Sequence, residues 1–134
     1  MGSFSDALEN ALLDHAFKTS ALSAPSNLYI ALSKSTLSDT ITGTIAGEIS
    51  GGAYVRKVCN TWDAASGGAT ENTQVVTFAQ ATADWGTITN FAVVDAITAG
   101  TGTVYAYGTL TAPKNVASGD TLKFATGDID ITLA

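Results

Sequence analysis

The sequence predicts an all-β fold: a two-layer β-sandwich of jelly-roll-like connectivity with one short N-terminal helix. Three observations lead there. Thr (20 residues) and Gly (13) are abundant while Pro (2) is scarce, a set suited to pleated strands joined by glycine turns. After residue 28, short stretches of period-two alternation recur about every ten residues, the rhythm of a sandwich. Finally, 134 residues, 46% hydrophobic and 13% charged, make one core with little charged surface, because chains divide into separate cores only at roughly 250 residues. A single domain over residues 1–134 is expected.

The helix comes first, inside a segment covering residues 1–20. Residues 5–18 offer Ser5 as N-cap, Asp6 and Glu9 in the first turn and Lys18 at the far end, each where the helix dipole and the unpaired terminal groups favour it. Leu8, Ala11, Leu12 and Ala16 recur at helical spacing, with Leu13 and Phe17 widening the stripe, so the helix is expected to lie on something apolar. Ala24-Pro25-Ser26-Asn27 stops it. Leu28–Leu32 then alternates as a first strand. Residues 34–52 are rich in Ser, Thr and Gly, with Leu37, Ile41, Ile45 and Ile49 spaced along them. They read as a long loop with at most one weak strand, and a loop of that length is more often functional or interfacial than idle.

Ala53–Trp62 reads as a second strong strand, with Tyr54, Arg56 and Val58 on one face and Val55, Lys57 and Cys59 on the other. Further strands are expected at Gln74–Phe78, Thr87–Asp95, Thr103–Thr111, Thr121–Phe124 and Ile129–Leu133. In Thr103–Thr111 the alternation places Val104, Ala106, Gly108 and Leu110 on one face and Tyr105 and Tyr107 on the other, where a contact is expected. A faint echo between residues 75–89 and 121–132 aligns Phe78 with Phe124 and reads as coincidence.

Catalytic chemistry is hard to place. Hydrolytic triads and metal sites draw on His and Cys, and the chain has only His15 and Cys59. A lone cysteine closes no disulfide within the chain and leaves only an interchain bridge open. Asp128 and Asp130 share a strand face, which is also the ordinary way to keep an outer face wet. Asp63, Asp84, Asp95 and Asp120 sit beside small residues at turns, where Asx-turn chemistry suffices. Ser66-Gly67-Gly68 and Gly100-Thr101-Gly102 lack the lysine and helix of a phosphate loop. No catalytic, cofactor or metal residue is assigned, and no enzyme is expected.

Partners are narrowed by charge. Six basic and twelve acidic residues give a net charge of −6, and such a chain repels phosphates, so no nucleic acid is expected. No stretch approaches the roughly 20 apolar residues that cross a bilayer. The opening, with Asp6, Glu9 and Asp14, has no signal-peptide pattern, so synthesis and use without export are expected. Sparse charge and no internal disulfide favour self-association.

The stretches Ala81–Ala96, containing Asp84-Trp85-Gly86-Thr87-Ile88-Thr89-Asn90-Phe91, and Ser118–Leu133, containing Gly119-Asp120-Thr121-Leu122-Lys123-Phe124, resemble a family of small tailed-phage virion proteins known as phage tail fibre or virion structural proteins. The opening Leu8-Glu9-Asn10-Ala11-Leu12-Leu13-Asp14-His15, the strand Leu28-Tyr29-Ile30-Ala31-Leu32 and Gly51-Gly52-Ala53-Tyr54-Val55-Arg56 extend the resemblance over nearly the whole chain. It implies a non-enzymatic, β-rich virion component. The first expectation is a capsid cement or decoration protein on the head exterior, forming homotrimers (dimers second) that clamp adjacent major capsid protein subunits. The alternative is a tail or fibre component that recognises a host-surface glycan through Tyr105, Tyr107, Trp62 or Trp85. Leu8, Leu12, Phe17, Ile41, Ile45, Tyr105 and Tyr107 are the candidate interface residues.

Overall fold

A computed structural model describes residues 2–133. The long antiparallel pair β6 (Gly86–Val94) and β7 (Val104–Val116) is its centre. The turn between them is closed by the Asp95 carboxylate, which accepts from the Thr103 N–H at 2.7 Å. Outside β6 lie β2 (Tyr29–Ser33) and then β3 (Lys57–Val58). Outside β7 lie β1 (Gly2–Phe4), β9 (Asp130–Thr132) and β4 (Ala69–Glu71), completing a curled seven-stranded sheet of order β3-β2-β6-β7-β1-β9-β4. A second sheet pairs β5 (Val76–Thr77) with β8 (Lys123–Phe124). The fold is all-β and sandwich-like, with one helix, α1 (Asp6–Phe17).

Both faces of the large sheet are covered at its centre. One buries Ile30, Leu32, Phe91, Val93, Ala106 and Leu110 against Val76, Phe78, Trp85, Leu122 and Phe124 of the second layer. There the Tyr54 ring stacks on Phe78 at 6.1 Å and meets Trp85 edge-on at 5.6 Å. The other face buries Ala31, Ala92, Val94 and Val104 under Leu37 and Ile45 of the 34–52 loop. That loop, irregular apart from one bridge between Ser33 and Glu48, is therefore a cover. The echoing segments meet in space: Val76 pairs with Phe124 in the second sheet, and Phe78 touches Phe124 edge-on at 6.4 Å.

Three expectations change. Ala53–Trp62 is regular only at Lys57–Val58, because Gly51, Gly52 and Ala53 are all left-handed (φ 76°, 58° and 66°) and turn the chain inward. Gly52 is required there, since a Cβ would lie 2.8 Å from the Trp85 indole nitrogen. Val104 leaves the face of Ala106 and joins Tyr107 in the second core. Val93 pairs with Ala106 but Val94 with Val104, so Tyr105 is an extra residue that restarts the alternation. Third, residues 2–4, within the expected helical segment, are a strand inside the sheet.

The sheet leaves little open edge. Residues 57–63 begin as β3 beside β2, continue with the Cys59 N–H to Leu28 C=O bond, and end beside β4, where the Asp63 N–H bonds the Glu71 C=O and the Thr73 N–H bonds the Thr61 C=O. One stretch thus reaches both edges, and the Gln74 side chain seals its middle by accepting from the Asn60 N–H at 2.9 Å and donating to the Val58 C=O.

Candidate interaction surface

Helix α1 is fixed at its start. Ser5 is its N-cap: the backbone there is extended, the Oγ accepts from the Leu8 N–H and donates to the Val104 C=O, and Ser5 is fully buried. The Ser5 N–H bonds the Tyr105 C=O at 3.0 Å and the Asp6 N–H the Asp39 C=O at 2.9 Å. The helix therefore leaves β7 (Val104–Val116) at a set angle, with contacts to that strand. Beyond this root nothing in it is buried.

The sequence-derived interface residues separate into two groups. Ile45 is buried in the second core, with Ile41 and Tyr107 half-buried against it, so these side chains mainly hold the loop to the sheet. Tyr107 and Tyr105 are both half-buried. Burial raises both phenol pKa values; carboxylates add to this, from Asp39, Glu9 and Asp6 at Tyr107 and from Asp95 at Tyr105. Leu8 and Leu12 are half-buried, whereas Phe17 is 80% exposed and Leu13 56%. The apolar stripe is real, but its distal half faces outward.

A second apolar patch escaped the sequence reading. Val55, Val58 and Ile97 are exposed and, with Tyr29, Lys57 and Ala79, line an open hollow of about 390 Å³. Their spacing in the chain gives no hint of this, since a turn near residue 97 meets a strand near residue 57 only through the fold. The element underneath was missed too. Arg56, read as half of a polar strand face, is fully buried. Its Nε and one Nη bind both Glu48 carboxylate oxygens at 2.7 and 2.9 Å, and its remaining donors reach the carbonyls of Gly43, Ala96 and Thr101 at 2.9–3.0 Å. Arg56 thereby ties the cover loop to the β6–β7 turn.

The aromatic residues offered for a sugar are mostly occupied. Trp85 is 3% exposed and its indole N–H bonds the Gly52 carbonyl, while half-buried Trp62 donates to the Cys59 carbonyl. Cys59 is fully buried, and burial pushes its thiol up to about 11, which makes it inert toward a partner thiol while the fold is intact. Asp84, Asp95, Asp120 and Asp128 each accept from a backbone N–H at a turn. Among the described residues no group of three His, Cys, Asp or Glu could hold a metal ion, and no helix is long and apolar enough to cross a membrane.

A surface of outward apolar side chains on a rigid β-body is suited to contact with another protein. No curated protein matches the chain. The family model described as podophage GP4 fiber I protein gp80 matches residues 3–132, nearly all of the 134 residues, and the chain belongs to that family of phage fibre proteins.

Proposed function

We propose that the chain is a structural unit of a fibre on a phage particle, held to its neighbours by apolar surface contacts and not by a ligand cleft. The observation that carries this is the match of a fibre-protein family over residues 3–132. The surface agrees with it: Leu13 and Phe17 on α1 are exposed, and Val55, Val58 and Ile97 are exposed around one hollow on the body, a clustering of apolar side chains of the kind that marks protein contacts. Glycan recognition is the weaker form of the fibre reading, because Trp85 is in the core and Trp62 is turned to its own backbone.

Copies of the chain associate with one another in this reading, and the virion is its place of action. Antibody-gold labelling or cryo-electron microscopy of intact particles tests it. Density or label confined to fibres is the expected result. Even decoration of the head shell, in contact with the major capsid protein, would overturn it in favour of a cement protein.

A further inference from the structure

The strand β1 (Gly2–Phe4) holds an unusual position for so short a segment. It lies inside the sheet, antiparallel to β7 through Gly2–Gly108, Ser3–Tyr107 and Phe4–Ala106, and parallel to β9 through Gly2–Ile131. In the strand order nothing else joins β7 to β9 and β4. Three residues therefore close the sheet, and the slot they fill is cut to fit them: a Cβ on Gly2 would lie 2.6 Å from the Ile131 side chain and 3.1 Å from the Tyr107 carbonyl. Phe4 packs against the main core and Ser5 is fully buried.

Beyond this plug and the hydrogen bond from the Asp6 N–H to the Asp39 C=O, the segment is lightly packed, with Leu8, Ala11 and Leu12 half-buried. Helix α1 buries no residue, and residues 18–27 form no helix or strand, with all but Pro25 exposed. An arm with a demanding anchor, a helix of twelve residues and an exposed connector has the parts that exchange needs. The same hydrogen bonds and packing form whether the plug comes from its own chain or another, so exchange changes only the path of the connector.

We propose that β1 and α1 form an arm that copies of this chain exchange, each plug filling the slot between β7 and β9 of a neighbour. The partner is a second copy, recognised by the Gly2–Phe4 backbone ladder and the Phe4 side chain. This rests on the association of copies proposed above and adds the way they are joined. It also bears on truncation: removing residues 1–18 takes a strand out of the sheet, so loss of assembly in that variant reports on the fold as much as on the helix.

The test uses the full chain carrying Ser3→Cys and Tyr107→Cys. These cross-strand partners lie at a separation that a disulfide spans, about 5.5 Å between Cα atoms, while buried Cys59 stays out of reach. After oxidation of the associated form, non-reducing electrophoresis should show two or more linked chains, with linkage lost in either single variant. Linkage wholly within single chains, in material that native mass spectrometry shows to be multimeric, would overturn exchange and leave association standing; monomers throughout would overturn both. If the double variant does not fold, deletion of residues 20–24 serves instead. Shortening a connector favours exchange, so a shift from lower to higher assemblies is expected, and an unchanged distribution would count against the arm.

Discussion

A guanidinium withdrawn from water has five N–H donors and a charge to satisfy, and Arg56 satisfies all of them with Glu48 and three carbonyls from two separate turns. Lysine cannot reproduce that fork. Glu48→Gln, which leaves the buried Arg56 charge without its partner, should lower the free energy of unfolding by about 3–5 kcal/mol, as read from urea titration. Arg56→Lys, which keeps a cation beside Glu48 but loses donors to the carbonyls, should cost less, and the double variant less than the sum of the two, since both disturb one network. The Cys59 thiol sets a pH dependence. Its folded pKa, about 11, lies above its ordinary value of 9.0, so the folded state keeps the proton longer than the unfolded chain. The resulting stabilisation is whole below about pH 9 and is lost as pH rises toward 11, amounting to about 3 kcal/mol. Burial raises the Tyr54 phenol as well, but that contribution is common to wild type and Cys59→Ala and cancels between them. The stability difference between these two proteins should shrink by that amount across the window; a difference independent of pH would show that the thiol does not titrate there.

At the scale of elements, the helix shows what a local code carries and where it ends. Ser5, Asp6 and Glu9 mark the start of α1 correctly because capping is settled within one turn. Ser5→Ala should cost about 1–2 kcal/mol, the upper part of the capping range, because the Oγ also donates to the Val104 carbonyl. The stripe of Leu8, Leu12, Leu13 and Phe17 was equally legible, but its partner was not: periodicity says that a face is apolar and not what covers it. Only the root of that face meets the body, and Leu13 and Phe17 stay exposed. Leu13→Ser with Phe17→Ser should therefore move the unfolding free energy by no more than about 0.5 kcal/mol while weakening association in analytical ultracentrifugation. Strands were legible where alternation was unbroken, as in β2, and misread where the backbone resets it. The Tyr105 bulge moves Val104 to the other face, and the left-handed run at 51–53 dissolves most of an expected strand. β1 is too short for any period to appear in its residues. The Arg56–Glu48 pair and the patch around Val55 and Ile97 join segments eight and about forty residues apart, and nothing in one sequence couples them.

For the whole molecule, the decisive property is how a curled sheet of seven strands avoids leaving edges on which other chains could add strands at random. Residues 57–63 bridge the two edges, but their own middle would expose unpaired backbone groups if Gln74 did not stand in for a strand. Its side-chain carbonyl accepts from the Asn60 and Thr61 N–H groups, at 2.9 and 3.3 Å, and its amide donates to the Val58 carbonyl. A fibre unit needs this more than a free-floating protein does, because fibres hold copies close together, and an open edge at high local concentration invites pairing without register. Gln74→Ala should leave the sheet core intact, with near-native thermal unfolding, but speed hydrogen exchange at the Asn60 and Thr61 amides and raise light scattering as protein concentration rises. Protection at those amides equal to that in the native chain would mean that the seam closes without the Gln74 side chain.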